Sequence, residues 1–192
     1  MIYRLKFDRN RFLSFDITPE QWMEKLGPSY IFMLDEPQWS DFWPPINGQF
    51  FNHSDGDKLP KVPEICVWFM HDLVLNAEVR KALEQDHPEW IQSCGELLPI
   101  RCENIDYYVW HITHIVDDKC IDNTRSQRLL EESGHIELQA LAFKPCAESD
   151  LPLFHTHYDG ARALFCNDTF KQWVDGRGLQ GLVFDTQLAN PF

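Results

Sequence analysis

Apolar and polar residues alternate with period two over Ile2-Tyr3-Arg4-Leu5-Lys6-Phe7, which reads as an edge-like strand with Arg4 and Lys6 turned to water. Thr18-Pro19-Glu20-Gln21 combines a capping threonine, a proline at the first helical position and a glutamine three residues after the cap. A short helix is therefore expected to run to Leu26 and to stop at Gly27-Pro28. Residues 30–60 are the least periodic part of the chain: Trp39, Phe42, Trp43, Pro44, Pro45, Phe50 and Phe51 are interleaved with turn formers, and Asp55-Gly56 marks a turn. The run from Ile65 to Met70 is too short for a buried helix and fits a core strand. After it, Asn76 caps a helix whose Val79, Ala82 and Leu83 recur at helical spacing, ending before His87-Pro88.

From Glu96 the pattern turns to sheet. Leu97 to Cys102, a four-residue loop over 103–106, and Tyr107 to Val116 predict a β-hairpin. Tyr108, Trp110, Ile112, His114 and Val116 fall on one face of its second strand, and Tyr107, Val109, His111, Thr113 and Ile115 on the other; both faces carry enough apolar surface to be covered. A polar stretch from Asp117 to Gly134 precedes a further strand over Ile136 to Phe143. Near the end, Leu164-Phe165-Cys166 reads as a strand feeding a helix capped by Asn167, with Phe170, Trp173 and Val174 as its buried stripe. Gly176 and Gly178 end that helix, and Leu182-Val183-Phe184 resumes as a strand. Strands interleaved with isolated helices predict an α+β fold: a mixed, mainly antiparallel sheet with a few short helices packed on it.

Three segments resemble landmarks of one family: Gly95-Glu96-Leu97-Leu98-Pro99-Ile100, the aromatic strand Tyr107-Tyr108-Val109-Trp110 with Ile115-Val116-Asp117-Asp118, and Leu164 to Val174 followed by Gly178-Leu179-Gln180-Gly181-Leu182-Val183-Phe184. These are similar to the immunity protein 11 family of bacterial polymorphic toxin systems. The resemblance covers roughly residues 63–186, which implies an α+β core over 63–192 and a variable N-terminal region, 1–62, packed on it. It further implies a protein that neutralises a cognate toxin by binding it, with no catalytic residues to carry over. The chain departs from the family at Phe154-His155-Thr156-His157, where relatives have an apolar, arginine-containing strand.

Charge sharpens this picture. Lys plus Arg number 17 against 30 for Asp plus Glu, a net of −13 that repels phosphate backbones and anionic lipid, so neither direct nucleic-acid binding nor membrane binding is expected. The same field would steer a cationic protein partner. The opening residues lack the apolar stretch of a secretory signal, and no later run approaches the roughly 20 residues that span a bilayer. Cys66, Cys94, Cys102, Cys120, Cys146 and Cys166 form no Cys-x-x-Cys pair and several sit in apolar runs, so all are expected to be reduced and the protein cytoplasmic.

Candidate chemistry is sparse. His155-x-His157 is expected to put two imidazoles on one strand face with Asp159 nearby, the kind of spacing that can begin a metal site, and it underlies the alternative reading, a small metal-dependent hydrolase that reverses a toxin modification. His111 and His114 differ in strand parity and form no second pair. Cys94 before Gly95 sits in no nucleophile elbow, and phosphate-cradling loops of the Gly-x-Gly-x-x-Gly and Walker kinds are not expected. Glu131-Glu132 and Asp117-Asp118 read as solvated faces. The expectation is a non-enzymatic immunity protein without cofactor or metal, with a housekeeping adaptor as a third class. Its toxin-binding surface is placed where carboxylates ring aromatics, at Asp35, Glu36, Trp39, Asp41 and Trp43, with Asp117 and Asp118 as a second acidic loop. Against this stands the plainer possibility that Trp39 and Trp43 close the N-terminal core.

Overall fold

The computed structural model describes residues 1–34, 38–52, 60–69, 71–130, 136–148 and 151–189. Strands β1 (Ile2–Phe7) and β2 (Ser14–Asp16) come first, then helices α1 (Pro19–Leu26) and α2 (Tyr30–Leu34). Strands β3 (Gln49–Phe51), β4 (Ile65–Trp68) and β5 (Asp72–Asn76) lead to helices α3 (Ala77–Asp86) and α4 (Pro88–Cys94). A long hairpin, β6 (Gly95–Cys102) and β7 (Ile105–Ile112), precedes a shorter one, β8 (Gln127–Leu130) and β9 (Ile136–Ala140). The one-turn helix α5 (Pro145–Glu148), strands β10 (Leu153–Phe154) and β11 (Phe165–Asn167), helix α6 (Asp168–Arg177) and strand β12 (Leu182–Asp185) complete the order. The architecture is α+β with antiparallel sheets, as the periodicity predicts.

Two four-stranded sheets carry the fold, ordered β4-β5-β7-β6 and β10-β11-β1-β12, with β2-β3 and β8-β9 as separate pairs. The first sheet is covered on both faces because its strands alternate large apolar residues. Leu73, Leu75, Trp110 and Ile112 face a core shared with Val79 and Leu83 of α3, Trp90 of α4, Leu5 of β1 and Phe170, Trp173 and Val174 of α6. Val74, Val109, Leu98, Ile100 and Cys102 face the opposite way, onto Phe15, Ile17, Trp22, Trp39 and Ile46. The segments 15–30 and 39–50 thus pack over the first sheet, whereas β1, from the same N-terminal region, is a strand of the second sheet.

The expectation that β1 lies at an edge is corrected: it pairs with both β11 and β12. Its polar positions are held by partners rather than by water. Lys6 Nζ lies 2.8 Å from Asp185, and Arg4, only 6% exposed, donates to the Leu188 carbonyl at 3.4 Å. The first hairpin is also tighter than expected. Cys102 and Ile105 are opposite one another, so the loop is Glu103-Asn104, both in the left-handed region at φ 50° and 70°, and two-residue turns of that kind match the twist of the strands.

Local signals place the helices well. The Thr18 side chain accepts from Gln21 N, Asn76 Oδ1 from Val79 N at 2.8 Å, and Asn167 Oδ1 from Thr169 N and Phe170 N at 3.0 and 3.2 Å. Two glycines mark close approaches. A side chain at Gly95 would meet the His111 carbonyl oxygen at 1.8 Å, and one at Gly181, where φ is 127°, would meet that of Ile65 at 2.1 Å. Asp86 then ties α3 to α6, accepting from Trp173 Nε1 at 2.9 Å and Arg177 Nε at 2.8 Å.

Candidate functional site

The most concentrated polar chemistry lies at the start of β5. The β4-β5 connection turns sharply at Phe69, whose φ is 52°, and delivers His71 and Asp72 beside His111 of β7. Asp72 is wholly buried, and its carboxylate accepts from His71 Nδ1 at 3.1 Å, His111 Nδ1 at 2.9 Å and the Ile112 amide at 3.1 Å. A buried carboxylate without such donors would be neutralised at large cost. Burial pushes the Asp72 carboxyl up, but the hydrogen bonds from His111 and His71 outweigh it and hold the group well below the usual carboxylate range. Burial pushes His71 down, and its bond to Asp72 more than restores it, leaving it raised.

Above this carboxylate, His111 lies flat against Trp39, and the far nitrogen of its ring, Nε2, is buried with no hydrogen-bond partner among the described residues. On the other side His71 stands edge-on to His155, ring centroids 6.2 Å apart. His155 Nδ1 lies 2.8 Å from the Ala163 carbonyl, which can only accept, so Nδ1 carries the proton; burial lowers the pKa of this ring. The network joins β5, β7, the Trp39 segment and the 155–163 loop. Of its two imidazoles on Asp72, His71 is the one that reaches solvent, at 35% side-chain exposure.

The residues expected to bind a toxin are not presented together. Asp35 and Glu36 lie outside the described residues. Trp39, expected as an exposed aromatic anchor, is 1% exposed and belongs to the core. It stacks on His111, meets Trp68 edge-on at 6.2 Å, and has its backbone amide held by the Glu96 carboxylate. Trp43 is half-buried, stacked on Trp39 at 5.7 Å, with Nε1 donating to the Pro99 carbonyl at 2.8 Å. Asp41, Asp117 and Asp118 are exposed. Asp117 caps the following turn through the Lys119 amide at 2.9 Å and pairs with Lys119 Nζ at 2.7 Å. The aromatic residues have turned inward because they supply the apolar cover of the first sheet, leaving the carboxylates in water.

The expectation that His155 and His157 share a strand face is corrected. Strand β10 ends at Phe154, and Thr156 caps a 3-10 turn over His157–Asp159 by accepting from Tyr158 N at 3.0 Å, so His155 is buried and His157 exposed. Asp159 is buried beneath that turn, its carboxyl pushed up to about 6 by burial, with Arg4 partly offsetting the rise. Among the described residues no three His, Cys, Asp or Glu side chains group as a metal ligand set.

Two further expectations are corrected. Cys120 and Cys146 form a disulfide, because the turn at Asp118–Cys120 packs against α5, while Cys66, Cys94, Cys102 and Cys166 are buried thiols. Burial pushes the Cys66 thiol far up and Cys102 up to about 12, so these two thiols are inert. Gly176-Arg177-Gly178-Leu179-Gln180-Gly181 does spell a Gly-x-Gly-x-x-Gly pattern. It runs out of α6 into β12, the reverse of the strand-to-helix order that puts a helix N-terminus on a phosphate, and Gly178 serves as the left-handed cap of α6.

Two surface features were not foreseen. A cleft of about 520 Å³ runs between β1, β2 and the β4-β5 turn, lined by Phe7, Phe15, Trp68 and Phe69 among others. The polar stretch that begins at Asp117 contains β8, exposed along its whole length; the pair Leu129-Leu130 is the signal for it.

Compared with known proteins, the chain matches no family model and no curated protein. The likeness to the immunity protein 11 family therefore rests on the landmarks quoted above, which fall on β6, β7 and the β11-α6-β12 unit. No helix among the described residues is long and apolar enough to cross a membrane.

Proposed function

We propose that this protein is a non-enzymatic immunity protein that binds a cognate toxin in the cytoplasm and neutralises it as a stoichiometric complex. The observation that carries this reading is the division of labour in the chain: Trp22, Trp39, Trp68, Trp110, His111 and His155 are drawn into the core, while Asp41, Asp117 and Asp118 stay exposed on a chain whose net charge is −13. Such a surface speeds encounter with a cationic protein and repels nucleic acid. The landmark segments support the family assignment, since Gly95 and Gly181 stand where no side chain fits.

A cytoplasmic setting requires that Cys120–Cys146 open there. Cys146 is exposed and within reach of glutathione, and the other thiols are buried. The hydrolase alternative draws less support, because His155 is buried and His157 exposed, so the two imidazoles do not face a common position.

The test is co-purification of the chain with the protein encoded immediately upstream, followed by calorimetric titration. A complex with a stoichiometry of one supports the reading; no association at micromolar concentration overturns it.

A further inference from the structure

The β8-β9 hairpin stands apart from both main sheets, and β8 has β9 as its sole strand partner among the described residues. The hairpin is anchored on one side. Arg128 lies over the Tyr158 ring at 4.4 Å and donates to the Tyr158 carbonyl at 2.6 Å, and Arg162 donates to the Ile136 carbonyl at 3.5 Å. The other side is open. Every residue of β8 is exposed, Leu129 at 47% and Leu130 at 71%.

Successive strand residues point to opposite faces, so two exposed leucines in a row mean that neither face of β8 at this point is packed on the core. Proteins ordinarily guard an open edge with lysine, proline or a bulge. Here the only cation on β8, Arg128, is drawn back onto Tyr158, and the irregularity in pairing sits at Gln127/Arg128, before the two leucines, which keep regular pairing with Glu137 and Ile136. Leu129 is in register with Glu137, which is exposed, so the two share a face and present an apolar and an acidic group side by side. A second copy of the chain would bring the same Glu137 and the same net charge of −13 to the junction, which opposes edge-to-edge self-pairing.

We propose that the open edge of β8 is a docking strand, to which an extended segment of a basic protein, alternating apolar and cationic side chains, adds by backbone hydrogen bonding with its cations against Glu137. Strand addition supplies affinity through the main chain and selectivity through alternate side chains. That the basic protein is a toxin rests on the function proposed above; the edge itself does not.

The probe is a synthetic peptide of alternating lysine and valine, with its glutamate–valine counterpart as control, titrated into the full-length 15N-labelled chain. The expected result is a change in the amide signals of Gln127 to Leu130, with slowed hydrogen exchange there, for the lysine peptide alone. The double substitution Leu129→Lys/Leu130→Lys weakens this binding by about ten-fold or more at low salt while the unfolding midpoint stays unchanged. No perturbation at these amides, equal perturbation by both peptides, or dimerisation of the wild-type chain that the double substitution abolishes overturns the proposal. With the upstream-encoded protein as ligand, undiminished binding by the double variant removes the edge and leaves the immunity reading standing. Failure of that protein to bind, with the lysine peptide still bound, removes the immunity reading and leaves the edge.

Discussion

Trp39 and His111 lie face to face, ring centroids 3.9 Å apart and planes within 10° of parallel, so the least periodic stretch of the sequence is clamped onto the central strand of the first sheet. The clamp is a packing contact with an electrostatic underside, since the same imidazole bonds Asp72. Trp39→Ala is expected to cost about 3–5 kcal/mol, the range for removing a large buried aromatic. Urea unfolding followed by circular dichroism measures it. A loss below about 1 kcal/mol would place Trp39 among surface side chains.

Asp72 predicts an acid limb. Its folded pKa is depressed, so its contribution to stability is fully present above the ordinary aspartate value and is lost as pH falls through the folded value. Asp72→Asn should therefore lower stability at neutral pH, by about 3 kcal/mol as for breaking a buried pair, and flatten the wild-type decline at the acid end. His71 has a raised folded pKa, so its share is present below the unfolded histidine value and fades as pH rises through the folded one. Thermal melts of wild type and variant across pH 2 to 8 are the check; parallel curves would show that Asp72 carries no linked proton.

Asp159 predicts the opposite sign. A carboxyl raised to about 6 binds its proton more tightly folded than unfolded, so the fold loses stability as pH climbs from about 4 to 6 and stays lower above that. Asp159→Asn is expected to remove this decline and to raise the melting temperature at pH 7. An unchanged or lowered melting temperature at pH 7 would mean that attraction to Arg4 outweighs the burial cost.

The disulfide makes a count testable. Alkylation of the denatured, unreduced chain should label the thiols of Cys66, Cys94, Cys102 and Cys166 only, and reduction should expose Cys120 and Cys146. The crosslink joins residues 26 apart, a loop whose closure contributes about 3.5 kcal/mol, so reductant should lower the unfolding midpoint. Labelling of all six without reductant would return the chain to the fully reduced state that its cysteine spacing suggests.

The helices and their caps were legible because capping is a local matter: Thr18, Asn76 and Asn167 each act within three residues of themselves. The two-faced β7 was legible too, since large residues at both parities leave no face for water. What lay beyond the sequence was long-range. Nothing local distinguishes an edge strand from β1, which becomes central only when β11 and β12, more than 150 residues on, close around it. The Asp72 network was missed for the same reason: His111 is 39 residues from Asp72, and only the register of β5 against β7 unites them. Trp39 and Trp43 carried the composition of an interface, which is also the composition of a core lid, and burial decides between the two.

The central claim, the proposed neutralisation by stoichiometric binding, is tested most directly by titrating the protein encoded immediately upstream with this protein and reading the residual toxicity of that partner against molar ratio. The account predicts a linear loss of activity that ends at one protein per toxin. Full inhibition at about one part per hundred would require turnover and contradict it.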